Sequence, residues 1–418
     1  MNGVVVTGVG VVSALGLTAG EHFDRLLRGE SGVALLDHPD AAELPSLLEA
    51  RVPPIDVRRT IEQRLLRKIL APSAVFSVLA AGQALADAGI PPGDGRRRDC
   101  GLYVGSVQLD VDFNLFAPVM RESLDRQGRF DLRLFVQRGM KVLDPLFMVK
   151  ALPNSGLCGI TIEHQVTGPN INLANGTVSG LQAAALAAAA IRRGDADLAL
   201  AGGFDSLLHI ECMVEHLLAG RVAGQSDPPH RACRPFDLER QGYALGEGAA
   251  FVLLESERHA AERGARVYAS VLGAAHTYLP PEHAEAGEAL PNAARNALAA
   301  GGCGPDEVDA VFGDGLALEA EDLQECAAWQ ALGASRAVFT AATPAVGFTG
   351  AASGSLSLVH AAMALERGVI PPLLNCDRPD PRCALPLAHG PVERECRRAL
   401  VWNSDWRGKR TALLVGRG

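Results

Sequence analysis

The sequence predicts an α/β fold built from two similar halves. Strand-like apolar runs alternate with alanine-rich helical patterns along the whole chain. The order of helix, Gly/Pro turn and strand occurs twice, first as QALADAGIPP before LYVGS and later as NALAAGGCGPDEVD before AVFGDG. An apolar helix that starts with a Ser-Gly pair and ends at an Arg-Gly pair also recurs with equal spacing, at 179–194 and 353–368. Such internal repetition is typical of a duplicated fold.

The repeats place the boundary between the halves near Glu255. We therefore expect an N-terminal half at 1–255 and a C-terminal half at 256–418. Residues from about 108 to 146 carry mixed charges and several phenylalanines without a clear strand or helix period. This segment is predicted to be an insertion within the first half.

The composition of the 418-residue chain is that of a globular protein, with 48% hydrophobic and 21% charged residues. A formal net charge of -9 and the lack of long Lys/Arg runs argue against a nucleic-acid partner. The longest aliphatic stretch, LQAAALAAAAI from Leu181, is too short to span a bilayer. We therefore expect neither a nucleic-acid partner nor a membrane partner.

The cysteine pattern indicates reduced thiols in a cytoplasmic protein. Nine cysteines include no CxxC pair and no Cys/His cluster at zinc spacing, so no metal site is expected. Cys158, in LPNSGLCG, is predicted to be a core thiol. The glycine spacing in TGVGVVSALG lacks the acidic residue that dinucleotide binding requires at a later position, and no cofactor is expected.

The segment GPNINLANGTVSGLQAAALAAAAIRRGDADLALAGG, from Gly168 to Gly203, resembles the nucleophile region of β-ketoacyl synthases. In that family a strand turns sharply into a helix whose N-terminus holds a cysteine, where helix N–H groups stabilise a thiolate and an oxyanion. Thr177 occupies this position. A threonine hydroxyl needs a general base to attack a thioester, and threonine is a favoured N-cap. Thr177 is therefore predicted to cap the helix that follows it.

The resemblance covers nearly the whole chain, including RPFDLERQGYALGEGAAFVLLE at 234–255, and implies a thiolase-like five-layered αβαβα fold. The positions of the family's two catalytic histidines hold Asp314 and Phe348, and the position of its lysine holds Thr343. A carboxylate at Asp314 would repel a developing enolate. Phe348 has no hydrogen-bond donor, and Thr343 has no positive charge.

The C-terminal loop NSDWRGKR, from Asn403, also departs from the glycine-rich loop of the family. Trp406 and Arg407 are expected to fill space that is open in the active members. The nucleophile, both histidines and the lysine are all replaced while the scaffold motifs persist. This pattern predicts a pseudoenzyme without a catalytic residue of its own.

Among ketosynthase homologues that lack catalytic residues, the chain resembles the chain-length factors of type II polyketide synthases, through LLAGRVAGQSDPPHRACRPFD from Leu217. The resemblance implies a heterodimer with an active ketosynthase, whose cysteine carries the polyketide chain while acyl carrier protein delivers malonyl units. The chain would shape a tunnel at the interface and limit the length of an aromatic or reduced polyene product. The candidate tunnel residues follow the LYVGS strand and are Val111, Phe113, Asn114, Phe116 and Pro118.

Three alternatives stay open at this point. The insertion could be ordinary core or surface without a tunnel. The chain could be an active condensing or acyl-transfer enzyme that uses Thr177 as nucleophile and Asp314 as base. It could also be a scaffold that binds the ketosynthase without affecting chain length. A chain this apolar, with no catalytic role of its own, is expected to bury exposed apolar surface against a partner. We therefore expect the isolated protein to self-associate or to be poorly soluble.

Overall fold

The computed structural model describes residues 3–37, 48–107, 113–280, 289–334 and 336–417. The strands are β1 (Val4–Val12), β2 (Val33–Leu35), β3 (Leu48–Ala50), β4 (Gly101–Gly105), β5 (Asn170–Leu173), β6 (Leu198–Ser206), β7 (Leu245–Ser256), β8 (Ala269–Tyr278), β9 (Ala310–Phe312), β10 (Val338–Thr340), β11 (Val369–Ile370), β12 (Val392–Glu393), β13 (Arg398–Ser404) and β14 (Lys409–Gly416).

The helices are α1 (Ala19–Leu27), α2 (Val57–Thr60), α3 (Leu66–Ile69), α4 (Pro72–Asp87), α5 (Arg96–Asp99), α6 (Phe113–Glu122), α7 (Leu132–Leu134), α8 (Met140–Val142), α9 (Phe147–Ala151), α10 (Ser155–His164), α11 (Ser179–Arg193), α12 (Ile210–Leu218), α13 (Glu257–Glu262), α14 (Ala289–Ala300), α15 (Glu319–Leu332), α16 (Thr343–Val346) and α17 (Ala352–Arg367). None of the helices in the described ranges combines the length and the apolar character needed to cross a bilayer.

The strands of the two halves have the same pairing pattern. The main sheet runs in the order β10-β9-β13-β14-β8-β1-β7-β6-β4-β5. In the first half β5, β4 and β6 are parallel neighbours, and β7 and β1 continue antiparallel. In the second half β10, β9 and β13 are parallel neighbours, and β14 and β8 continue antiparallel. The halves meet where β1 pairs with β8. The predicted two-fold repetition is thus confirmed.

The helices form three layers around the two halves of the sheet. The helices α11 and α17 contact each other and strands of both halves, and their alanine-rich faces form the central core. On one outer face α4 and α10 cover the first half. On the other outer face α14 and α15 cover the second. The layers therefore alternate as αβαβα, as the family resemblance implies.

Near residue 255 the chain passes from one strand of the main sheet to another through a short helix. The strand β7 ends at Ser256 and β8 begins at Ala269, with α13 between them. The division at residue 255 stays a prediction.

The described part of the predicted insertion folds as the short helices α6, α7 and α8 with a π-helical turn at Phe135–Gly139. It contains no strand from residue 113 to residue 146.

The two edges of the main sheet differ. On the β10 edge, the N–H of Phe339 donates to the carbonyl of Pro386, and the N–H of Ala388 donates to the carbonyl of Phe339. A loop therefore covers this edge. On the opposite edge, no strand of the described residues pairs with the outer side of β5, where Ile171 is exposed.

Candidate functional site

A cavity of about 510 Å³ opens at the start of α11. Its walls come from the turn before α11, the end of β6 with α12, the segment before α17, and the turn between β13 and β14. The lining residues are Val107, Gly176, Thr177, Asp205, Leu207, His209, Glu211, Cys212, Glu215, His216, Arg221, Tyr243, Leu316, Phe348, Gly350, Ser404, Asp405, Trp406 and Arg407. The cavity therefore contains Thr177, at the predicted nucleophile position, and Phe348, at one of the two predicted histidine positions.

The hydroxyl of Thr177 does not cap α11. The helix begins at Ser179 and its N-cap residue, Val178, makes no side-chain cap. The Thr177 hydroxyl donates instead to the carbonyl of Ser404 at 2.8 Å. The prediction of a threonine cap is therefore wrong. The physical reason is that the turn between β13 and β14 brings a carbonyl acceptor to the hydroxyl, while the Ser179 hydroxyl bonds Gly176 and Asn175 within the turn before α11.

Asp405 joins the turn before α11 to the turn after β13. Its Oδ2 accepts a hydrogen bond from the N–H of Thr177 at 3.0 Å, and its Oδ1 accepts one from the N–H of Arg407 at 2.8 Å. Oδ2 also lies 3.4 Å from the Thr177 hydroxyl. The side chain is 1% exposed. The carboxylate next to Thr177 is thus that of Asp405.

Asp314 is buried outside the main cavity. Its Oδ1 accepts a hydrogen bond from Asn403 Nδ2 at 2.6 Å, and its side chain borders a separate small cavity. Burial and the neighbouring Glu325 raise the pKa of Asp314. The raised pKa favours the neutral carboxyl, and the expected repulsion of an enolate by Asp314 stays a prediction. The structure also does not place Asp314 against Thr177 as a base.

Thr343 and Phe348 have structural contacts at the positions where the family has its lysine and second histidine. The Thr343 hydroxyl donates to the backbone carbonyl of Asp314. Phe348 is 5% exposed and packs on Tyr243, with 4.6 Å between ring centroids. Phe348 therefore closes one wall of the cavity and brings no polar atom to it.

A group of aromatic and basic side chains forms another wall, which was not predicted from the sequence. Tyr243 receives a hydrogen bond from Arg221 Nε at 3.1 Å, and its hydroxyl lies 2.8 Å from His216 Nδ1. Trp406 stacks on His216 at 6.3 Å, and the Arg221 guanidinium lies 5.1 Å from the Trp406 ring. Burial and Arg221 lower the pKa of His216 to about 4, so this imidazole is neutral at physiological pH. The position of Trp406 in the cavity agrees with the expectation for the C-terminal loop.

The predicted tunnel residues lie outside this cavity where the structure describes them. Phe116 packs edge to face on Phe147 of α9, with 4.4 Å between ring centroids. Pro118 lies in α6 and is exposed. Val111 falls outside the described residues, and Phe113 and Asn114 are described in their backbone alone. The tunnel assignment stays a prediction.

The cysteines are free thiols, and most are buried. Cys158 is exposed on α10, so the prediction of a core thiol at this position is wrong. Among the described residues no three His, Cys, Asp or Glu side chains are grouped so that they could hold a metal ion.

The fold and the cavity can be compared with known proteins. Residues 1–260 match the sequence profile described as beta-ketoacyl synthase, N-terminal domain, and residues 266–377 match that of the C-terminal domain. The chain belongs to the beta-ketoacyl synthase family.

Named members of the family and solved structures match along the full chain. The 3-oxoacyl-(acyl-carrier-protein) synthase 2 of Rhizobium meliloti (strain 1021) is 29% identical over 440 residues, which cover 100% of this chain and 99% of that protein. The structure described as the ishigamide ketosynthase/chain length factor has a TM-score of 0.87 at 25% identity, covering 100% of this chain and 99% of that one. A type II polyketide synthase acyl-carrier protein in complex with its ketosynthase, bound to the hexaketide, has a TM-score of 0.82 at 24% identity with the same coverage. At this level of sequence identity, the similarity of the two structures shows a shared fold.

The structure brings together part of the predicted set of family positions. Thr177 and Phe348 face one cavity, whereas Asp314 and Thr343 border a second one beside it. Sequence reasoning missed Asp405. The visible signal was the departure of NSDWRGKR from the glycine-rich loop of this family, but the loop sequence alone does not show which side chain reaches Thr177.

Proposed function

We propose that this chain is a non-catalytic beta-ketoacyl synthase subunit that pairs with an active ketosynthase and acts as its chain-length factor. The observation that carries the proposal is the state of Thr177. Its hydroxyl donates to a main-chain carbonyl and its N–H donates to Asp405, so neither group is available to a substrate. Phe348 at a histidine position provides no hydrogen bond for a thioester carbonyl.

The charges of the cavity also favour a non-catalytic role. The lining carboxylates are Asp205, Glu211, Glu215 and Asp405, against the guanidinium groups of Arg221 and Arg407. Arg221 forms an ion pair with Glu321 at 2.7 Å, so part of its charge is already balanced. A negative cavity disfavours a malonyl carboxylate and the enolate formed from it. Decarboxylation of an extender unit is therefore not supported here.

A segment of the chain that is rich in exposed apolar side chains supports pairing with a second chain. Of the twenty large hydrophobic side chains that are exposed in the described ranges, thirteen lie between Met120 and Ile171. This segment includes the insertion helices, α10 and the edge strand β5. Apolar exposure concentrated in this way is typical of an interface, and an unpaired strand edge offers main-chain hydrogen bonds to a partner.

The proposed partner chain carries the chemistry. The active ketosynthase would hold the growing chain on its cysteine, and acyl carrier protein would deliver malonyl units to the pair. The insertion would border the tunnel between the subunits, where Phe116 and Pro118 of α6 are candidates together with the adjoining positions Val111, Phe113 and Asn114. Product length would then depend on the tunnel, in an aromatic or a reduced polyene pathway. The free thiols fit a subunit that acts in the cytoplasm.

Incubation of the isolated protein with malonyl-acyl carrier protein and an acyl donor tests the absence of catalysis. We expect no carbon dioxide release above the buffer rate and no acyl adduct by intact-mass measurement. Decarboxylation, or an adduct mapped to Thr177, would show an active enzyme and would exclude the non-catalytic role.

Co-expression with a ketosynthase that has the complete Cys, His, His and Lys set tests the control of chain length. We expect Phe116→Ala to shift the product distribution toward longer chains, because the truncated ring leaves space in the proposed tunnel. Tyr278→Ala is the matched control, since Tyr278 is an exposed ring outside both the insertion and the segment from Met120 to Ile171. Unchanged product length in Phe116→Ala, with the pair intact, would favour a scaffold that has no influence on length.

A further inference from the structure

Two backbone N–H groups, one from the turn before α11 and one from the turn that carries Asp405 itself, donate to one carboxylate. The Thr177 N–H comes from the turn before α11 and reaches Asp405 Oδ2 at 3.0 Å. The Arg407 N–H comes from the turn between β13 and β14 and reaches Oδ1 at 2.8 Å. Converging backbone donors beside a nucleophile position are the arrangement that binds the oxyanion of an acyl-transfer intermediate.

We infer that the Asp405 carboxylate is a built-in occupant of the oxyanion site and blocks acyl transfer independently of the missing nucleophile. This inference rests on the proposed non-catalytic function and extends it. A carbonyl attacked at position 177 would place its oxygen where these donors converge, and the Asp405 oxygens already lie there. The fixed negative charge would also repel a developing oxyanion.

The turn between β13 and β14 fixes the backbone of Asp405 from several sides. The Asp405 N–H donates to the carbonyl of Lys409 at 2.8 Å, and the Gly408 N–H donates back to the Asp405 carbonyl at 2.9 Å. The guanidinium of Arg410 donates to the same carbonyl. These bonds fix the backbone, and the side chain has little freedom to leave the donors.

Gly176 leaves the space that the carboxylate occupies. A Cβ added at Gly176 would overlap Asp405 Oδ2, and Gly176 has a φ of +78°, which disfavours other residues. The turn before α11 is therefore shaped to admit the Asp405 side chain. Both the turn before α11 and the turn between β13 and β14 are therefore shaped so that the Asp405 carboxylate can accept from the two N–H groups.

The test installs a thiol at position 177 and then removes the carboxylate. The variants are Thr177→Cys, Thr177→Cys/Asp405→Asn and Thr177→Cys/Asp405→Ser, compared with wild type. Each is incubated as the isolated full-length chain with octanoyl-coenzyme A. In this reaction the thiol sulfur forms a bond to the acyl carbon, the carbon–sulfur bond to coenzyme A breaks, and coenzyme A leaves as its thiol with the proton of the attacking thiol. Intact-mass measurement gives the acylation rate, and iodoacetamide gives the alkylation rate of the same thiol.

We expect Thr177→Cys/Asp405→Ser to be acylated about 100-fold faster than Thr177→Cys, the size of effect that oxyanion donors have in acyl transfer. Thr177→Cys/Asp405→Asn should gain less, because its isosteric amide removes the charge but still occupies the site. Alkylation by iodoacetamide needs no oxyanion site. Its rate should rise only about 10-fold, because the thiol ionises more easily once the negative charge of Asp405 is removed. Thr177→Cys/Glu211→Gln is the matched control, because it removes a cavity carboxylate that forms no hydrogen bond or ion pair with Thr177 or Arg407. Its acylation rate should stay within about twofold of that of Thr177→Cys, which limits the effect of general cavity charge.

Two outcomes would overturn the inference. One is acylation of Thr177→Cys as fast as that of the double variants. The other is an equal gain in acylation and alkylation, which would assign the effect to charge alone. Circular dichroism and thermal melts of each variant verify folding, and Thr177→Cys/Asp405→Ala, which also empties the site, serves if the Asp405→Ser variant unfolds. An acyl adduct on wild type would instead contradict the proposed function, so the two failures are distinguishable.

Discussion

The buried carboxyl of Asp314 shows how position changes the chemistry of a residue. Its partner Asn403 donates one hydrogen bond at 2.6 Å, while Glu325 receives the backbone N–H groups of Asp314 and Gly315 and the indole N–H of Trp402. Glu325 therefore has the donors that stabilise a carboxylate. Asp314, buried beside it, has a raised pKa and favours the protonated form.

The stability of Asp314→Asn relative to wild type should increase as the pH rises. Above about pH 4 the unfolded state loses the proton of this carboxyl while the native state keeps it, so wild-type stability falls with pH until the raised pKa is reached. Asn is a neutral isostere and lacks this slope. Urea unfolding from pH 4 to pH 8 should show a difference that grows by at most about 1.4 kcal/mol per pH unit.

Asp94→Asn provides the control with the opposite sign. Hydrogen bonds from Arg96 lower the pKa of Asp94 to about 2, so its contribution to stability is present above the ordinary carboxyl pKa and is lost as the pH falls toward 2. Asp94→Asn should therefore cost stability at neutral pH, and the cost should disappear in acid. A flat profile for Asp314→Asn would show that its carboxyl is ionised in the folded protein.

Single residues were also where sequence reasoning failed most. Thr177 is a good N-cap by type, but Val178 takes the cap position and the threonine hydroxyl bonds Ser404, 227 residues away. Asp405 reaches Thr177 across a comparable separation. Hydrogen bonds between distant segments leave no local pattern in a sequence. The replaced family positions could be recognised, whereas their contacts could not.

The first turn of α11 packs directly against the backbone of neighbouring elements, with no side chain between them. Gly180, in its first turn, lies against the carbonyl of Ala351, just before α17, and against Gly203 of β6. A Cβ at Gly180 would overlap the Ala351 carbonyl oxygen. The central helix layer is thus held together at the start of α11, the same place that carries the cavity.

Gly180→Ala should destabilise the protein by about 3 kcal/mol, because the backbone of two central helices must separate to admit the methyl group. Gly20→Ala in α1 is the control, since nothing lies within 4 Å of an added Cβ there. It should be neutral or stabilising by up to about 1 kcal/mol, through helix propensity. Thermal and chemical unfolding measure both. Equal stability of the two variants would contradict the close packing of α11.

Elements with a strong repeat were predictable, and the insertion was not. The two Ser-Gly to Arg-Gly repeats correspond to α11 and α17, which occupy the equivalent central layer of each half. Their alanine periodicity gives a clear pattern. The short helices α6 to α9 are held by a few mutual contacts such as the Phe116–Phe147 pair. Helices this short have too few turns to give a recognisable hydrophobic periodicity in the sequence.

The apolar segment from Met120 to Ile171 governs how whole molecules are expected to associate. Ile171→Lys, on β5, should abolish pairing with the ketosynthase or raise the dissociation constant at least about 10-fold, since a buried charge at an interface lacks a partner. Leu218→Lys is the control, because Leu218 is 82% exposed on α12, outside that segment. Light scattering after gel filtration of co-expressed chains measures the pairing.

Isolated wild-type protein should self-associate or precipitate, and Ile171→Lys should reduce this. A soluble monomer of the wild type, or equal pairing of both lysine variants, would contradict an interface at this surface.

The difference between the two sheet edges sets a limit on the size of an assembly. The loop through Pro386 and Ala388 occupies the hydrogen-bonding groups of β10, while the equivalent strand β5 of the other half has its outer side unpaired within the described residues. If both edges were open, each added copy would offer a new edge, and chains could grow into filaments. With β10 covered, a β5-to-β5 contact uses the open end of the ten-strand path in the described residues, so growth along that path would terminate after two chains.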